Sequence, residues 1–226
     1  HPPKLNLTPQ HNTFDSCFFQ KVFVYNKLME NNITNYEPYI FRLNELILTN
    51  NKDTLAYYNL GIIFKKTKRY KEAKRCLKMA IEQGSDKSIY SLAALYDNLK
   101  NYQNAEKYYK MAIEKGNIYA INNLAVIYDN LKRYQEAEKY YKMAIEKGVI
   151  DSINGLAMLY DDLKRHKEAE LYFKMAIEKG DIMALNNLAY MYKNLEKYEE
   201  AEVYYKMAID KGSTKSIYNL AYMYKI

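Results

Sequence analysis

Apolar residues recur along the chain in pairs of helical stripes. Ile89, Leu92, Ala93 and Tyr96 fall at i, i+3, i+4 and i+7, one face of a helix. After a turn from Asn98 to Asn101, the residues Tyr102, Ala105, Tyr109, Ala112 and Ile113 mark a second face of the same kind. The pattern predicts two helices of roughly 14 residues, about 21 Å each, joined by a short turn. Gly116 follows the second helix, where a left-handed residue would satisfy the last carbonyls at little steric cost. Lys115 lies beside the negative helix end. The arrangement returns every 32 residues, closing with Met-Ala-Ile-Glu-Lys-Gly or a near copy at Met79–Gly84, Met111–Gly116, Met143–Gly148, Met175–Gly180 and Met207–Gly212. One helix pair cannot bury its own apolar face, so a strict period of this size predicts stacked repeats.

The frame divides the chain into five complete repeats at 54–85, 86–117, 118–149, 150–181 and 182–213, with a partial sixth at 214–226. Ala93, Ala105 and Ala112, with Ala125, Ala137 and Ala144 one repeat on, are expected where backbones approach closely. Tyr96 and Tyr109 would fill the space beside them. Residues 1–53 lack the period: 1–13 reads as an irregular leader and 14–53 as a divergent helical cap. Helices are predicted there over Phe14–Glu30 and Tyr36–Leu48, the latter with Phe41, Leu43, Leu46, Ile47 and Leu48 as its apolar face. Ser216–Tyr224 supplies a first helix without its mate, which either caps the stack or continues into a longer natural chain. The fold class expected is an all-α solenoid of antiparallel helix pairs.

The spacing Leu92-Ala93-x2-Tyr96, x8, Ala105-x3-Tyr109-x2-Ala112 resembles the tetratricopeptide repeat, and it recurs from residue 54 to the end. Two details depart from that family: the period is 32 rather than the usual 34, and a Gly closes the repeat in place of a Pro. There, Ala-Ile-Glu-Lys-Gly with the next Leu eight residues after the Gly resembles the related Sel-like repeats, without their longer Gly-containing turn. The resemblance implies a right-handed superhelix whose first helices line a concave groove for peptides or protein segments.

On the groove-facing positions that the resemblance implies, Asn59, Asn123, Asn187 and Asn219 are equivalent, interrupted by Ser91 and Gly155. An Asn side chain offers a donor and an acceptor together, so a ladder of them can pair with an extended peptide backbone whatever its side chains. Asn122, Asn154 and Asn186, one residue earlier, add polar groups; the competing reading is that such asparagines bridge helices. Val126, Met158 and Tyr190 would give apolar contact. Asp97, Asp129 and Asp161 recur one turn further on, with Asp162 beside the last, while Lys65, Lys66, Lys193 and Lys225 occupy or adjoin the same sites at the two ends. A basic or mixed-charge peptide is the expected partner, steered by charge and weakened by salt. The clamp by which some family members hold chaperone C-terminal tails needs Lys and Arg on three successive first helices. This chain offers mainly Tyr58, Ile62, Ser91, Asn122, Asn123 and Asn154 there, so such tails are not expected partners.

Composition adjusts this picture little. Among 226 residues, 34 basic against 27 acidic side chains give a net charge of +7, which permits an acidic partner without requiring one. Twenty-six tyrosines, no Trp and 4 Pro suit helices with bulky amphipathic contacts. Cys17 and Cys76 lie far apart, which argues against a disulfide framework and for a reducing, cytoplasmic setting. Cys76 takes the frame slot of Tyr108, Tyr140, Tyr172 and Tyr204, so it reads as a packing residue. The histidines are His1, His11 and His166, the last in the slot of Tyr70, Tyr102, Tyr134 and Tyr198. With no Gly-rich phosphate loop and no zinc-type spacing, neither catalysis, a cofactor nor a metal is expected. No apolar stretch approaches the ~20 residues that cross a bilayer. Asn6-Leu7-Thr8 and Asn32-Ile33-Thr34 match a glycosylation triplet too short to carry weight, and His1-Pro2-Pro3 reads as a cut end.

A second reading uses the lysine registers Lys78, Lys110, Lys142, Lys174, Lys206 and Lys115, Lys147, Lys179, Lys211 to track nucleic-acid phosphates, with a steep salt dependence. Glu106 four residues before Lys110, repeated at Lys142, favours a solvated face instead. Self-association through Tyr218, Tyr222 and Tyr224 is a third reading. The function expected is a non-catalytic scaffold or adaptor that holds an extended peptide or protein segment.

Overall fold

The computed structural model describes residues 35–50 and 52–225. The leader, the helix expected over Phe14–Glu30 and both Asn-x-Thr triplets lie outside the described residues. Those residues form twelve helices and no strand, in two compact units that divide between Asn101 and Tyr102. The first unit holds α1 (Glu37–Thr49), α2 (Thr54–Lys66), α3 (Tyr70–Glu82) and α4 (Asp86–Asn98). The second holds α5 (Tyr102–Glu114), α6 (Ile118–Asn130), α7 (Tyr134–Glu146), α8 (Asp151–Asp162), α9 (His166–Glu178), α10 (Ile182–Asn194), α11 (Tyr198–Asp210) and α12 (Thr214–Met223). Within each unit every helix packs on the next, and successive first helices also touch: α2 with α4, and α6, α8, α10 and α12 in turn.

Side chains and backbone fix where these helices start and stop. Asp53 accepts a hydrogen bond from the Ala56 amide and Asn117 from that of Ala120, both at 3.0 Å, and Asp181 and Ser213 cap α10 and α12 in the same way. Each second helix ends on a glycine with φ between 82° and 90°. The sequence pattern placed left-handed residues only at those glycines, but the turn inside each repeat needs one as well. Lys68, Lys100, Lys132, Lys164 and Glu196 adopt φ between 56° and 61°. The Arg133 amide then bonds to the Tyr128 carbonyl and the Lys132 amide to that of Asp129, each at 2.8 Å, closing a Schellman motif.

The small residues lie where the sequence frame put them: Ala105, Ala137, Ala169 and Ala201 are fully buried, beside Tyr109, Tyr141, Phe173 and Tyr205. Cys76 is also buried, which pushes its thiol pKa up to about 11. In α1 the outcome differs from the expected face. Ile40, Leu43 and Leu46 are buried, whereas Phe41 is 66% and Leu48 85% exposed. Residues 40, 43 and 46 follow the three-residue spacing that faces α2; Phe41 and Leu48, seven apart, share a different side.

A polar staple joins successive repeats of the second unit. Glu106 of α5 accepts hydrogen bonds from Lys110 Nζ at 2.7 Å and Tyr128 Oη at 2.9 Å, and Arg133 reaches it at 3.3 Å while lying 4.3 Å above the Tyr128 ring. Glu138, Lys142, Tyr160 and Arg165 repeat the group one unit of the frame later. Burial alone would raise the Glu106 carboxyl, but the hydrogen bonds from Lys110 and Tyr128 outweigh it and hold the pKa below the usual carboxylate value.

Candidate functional site

On the first helices of the second unit, one register is apolar and exposed in every repeat. Val126 on α6, Met158 on α8, Tyr190 on α10 and Tyr222 on α12 share a frame position, and all are more than a third exposed. Large apolar groups left in water at one register of four touching helices are unusual in a core-forming repeat. The sequence reading places Tyr222 in a self-association surface with Tyr218 and Tyr224; its position 32 residues after Tyr190 aligns it with this stripe as well. Lys193 Nζ lies 5.0 Å from the Tyr190 ring centroid and 5.6 Å from that of Tyr222, a cation held between two exposed rings.

The asparagines beside the stripe divide into two sets. Asn154 and Asn186 are buried and Asn122 half-buried. Asn122 accepts from Ser152 Oγ at 2.7 Å, Asn154 from Asn187 Nδ2 at 3.2 Å, and Asn186 from both Ser216 Oγ at 3.1 Å and Asn219 Nδ2 at 2.9 Å. These oxygens therefore bridge each first helix to the next. Asn123, Asn187 and Asn219 are half-buried and nearer the surface; Asn123 also donates to Tyr109 Oη at 3.2 Å. Asn59 lies in the first unit at 2% exposure, its Nδ2 without a hydrogen-bond partner among the described residues, and it offers no surface to a ligand. Gly155 breaks the series for a steric reason: a Cβ there would stand 2.6 Å from Cε1 of Tyr141.

At the ends of the same helices the carboxylates differ in their engagement. Asp161 pairs with His166 Nδ1 at 3.0 Å. Asp129 has no cationic partner among the described residues. Burial, and then the neighbouring Asp162 charge, raise its pKa above the usual aspartate value. The site thus holds an exposed apolar stripe, a partly engaged amide series and an acidic group that a cation would relieve. Among the described residues no group of three or more His, Cys, Asp or Glu could hold a metal ion, and no helix is long and apolar enough to cross a membrane.

Family comparison agrees with the repeat fold. Models of the tetratricopeptide repeat match residues 55–83, 86–114, 118–147, 149–179 and 182–212, and the Sel1 repeat matches 214–225. The chain belongs to the tetratricopeptide-repeat family. Its all-α fold is shared with solved structures of low identity. YrrB, described as a tetratricopeptide-repeat protein with an unusual peptide-binding site, is 19% identical with a TM-score of 0.57, covering 78% of this chain and 96% of its own. PilF of Pseudomonas aeruginosa is 20% identical with a TM-score of 0.63, covering 77% and 86%. MamA is 19% identical with a TM-score of 0.59, covering 70% and 96%. Comparison with curated protein sequences returns no match. Tetratricopeptide repeats generally bind proteins or peptides, and the family is generally non-catalytic; a protein-interaction scaffold is the role this membership supports.

Proposed function

We propose that the first-helix face of the second unit holds an extended peptide bearing a basic residue, and that the protein acts as a non-catalytic adaptor for the segment's owner. The observation that carries this reading is the stripe Val126, Met158, Tyr190 and Tyr222, exposed at one register beside the uncompensated Asp129. The stripe supplies apolar contact for alternate side chains of the peptide. Asn122, Asn154 and Asn186 hold the helices in register, with Asn187 and Asn219 as donors to the last two, and Asn123, Asn187 and Asn219 supply backbone hydrogen bonds from their remaining capacity. Asp129 and Asp162 attract the basic residue, and Lys193 turns the charge preference over at the α10 end. A neighbouring structure described as having a peptide-binding site is consistent with this use of the fold.

The nucleic-acid reading draws less support. Lys110, Lys142, Lys174 and Lys206 are each held by a glutamate of their own helix at 2.6–2.7 Å, which spends much of the charge that phosphates would need. Selection from a random displayed peptide library tests the proposal. Wild-type protein should enrich Lys- or Arg-containing peptides with apolar residues at alternate positions, and a Met158→Ala/Tyr190→Ala variant should lose the enriched peptides by about tenfold or more in affinity. Enrichment without a basic residue, or undiminished binding by a folded variant, would contradict it.

A further inference from the structure

The first unit has a lysine where the second unit keeps a carboxylate. At the frame position of Glu106, Glu138, Glu170 and Glu202, helix α3 has Lys74. In the second unit that glutamate gathers a lysine four residues on and a tyrosine of the following helix, as Lys110 and Tyr128 do around Glu106. The equivalents in the first unit, Lys78 and Tyr96, are both retained. Lys71, Lys74, Arg75 and Lys78 line an open hollow of about 410 Å³ with Tyr96, Met79 and Glu82. None of these four cations is in an ion pair among the described residues, and Glu72, the acidic side chain within their run, is taken by Arg69 at 2.9 Å. Lys74 Nζ lies 5.8 Å from the Tyr96 ring centroid, so it faces the place where the later repeats keep their own acid.

We propose that this hollow binds an acidic segment of a partner protein, with one carboxylate seated between Lys74 and Lys78 and a second on Lys71 or Arg75. The glutamate staples of the second unit show that this fold receives a carboxylate at that frame position when lysine and tyrosine flank it. The size of the row favours a peptide over nucleic acid. Lys71 to Lys78 spans about 10 Å of helix, and the repeat pattern continues it only in part: the slots of Lys71 and Lys74 become Gln103 and Glu106, then Gln135 and Glu138, and the lysines that recur in the Lys78 slot, Lys110 and Lys142, are paired with those glutamates. A phosphate-tracking surface needs a longer run, since duplex DNA carries a charge every ~1.7 Å. The site is separate from the stripe of the second unit and takes the opposite charge, so either can fail without the other.

Fluorescence anisotropy of a labelled glutamate decapeptide against the full chain tests the proposal, with a glutamine decapeptide as the neutral probe. Wild type should bind the acidic probe and not the neutral one, with affinity falling as salt rises. Lys74→Glu should weaken binding by about tenfold or more, because it both removes a cation and supplies the internal acid. The matched charge change Lys139→Glu, on the exposed surface of α7, should leave binding unchanged. Lys78→Gln should reproduce the loss and serves as the test if Lys74→Glu does not fold. Unchanged binding in folded Lys74→Glu, equal loss in Lys139→Glu, or displacement of the peptide by a far lower concentration of single-stranded DNA of equal charge would overturn the proposal.

Discussion

At Tyr205 a buried hydroxyl has no hydrogen-bond partner among the described residues, and burial, with the Tyr190 charge adding to it, pushes its pKa up to about 12. Phe173 fills the same frame slot one repeat earlier at 1% exposure, so the core accepts a ring without the oxygen. Tyr205→Phe should therefore leave stability unchanged or raise it by about 1 kcal/mol, since an unpaired buried polar atom is removed with its ring contacts intact. Urea denaturation reads this directly, and a loss of stability would mean that the hydroxyl has a partner. The asparagines show how far single residues were legible. Asn122 and Asn123 stand about 100° apart around the helix, and so do Asn186 and Asn187. Period and chemistry singled out both, but neither says which amide turns into the junction and which toward the face. That choice depends on Ser152, Asn187, Ser216 and Asn219, about one repeat away, which donate to the inner set. Gly155 was legible only as a gap, because its cause is the ring of Tyr141 on the preceding helix.

Among the helices, positions and faces followed from period alone, since alanine, tyrosine and glycine recur at fixed frame slots. The turns were half legible. Glycine announces a left-handed residue after each second helix, whereas Lys132 and Lys164 adopt the same conformation with no compositional signal. Gly148 has φ +83° and no neighbour within 4 Å of a built Cβ, so its role is conformational rather than steric. Gly148→Ala should cost about 1–2 kcal/mol through left-handed strain, seen as a lower melting temperature with unchanged helical circular dichroism. A neutral result would show that the turn relaxes to another conformation. The exposed Phe41 and Leu48 mark the limit of reading α1 outside the repeat, where no second copy of the pattern fixes which side faces α2.

Over the whole molecule, the repeat frame supplies a uniform scaffold and function is read from departures in it. In the second unit the departure is an apolar stripe with unrelieved acid; in the first it is a lysine where acid is the rule. Both departures were visible as letters, but their meaning needed burial and pairing, which decide whether a charge is spent internally. Asp129 separates binding from folding most cleanly. Its raised pKa reports the cost of keeping a carboxylate charged where it is partly buried and, secondarily, faces the Asp162 charge, so neutralising it should spare the fold while removing attraction for a basic ligand. The decisive measurement is the affinity of a library-selected basic peptide for wild type and for Asp129→Asn, with melting temperature recorded on both. If Asp129 selects the charge of the ligand, the variant has an equal or higher melting temperature together with about tenfold weaker binding. Unchanged affinity, or affinity and stability falling together, would contradict it.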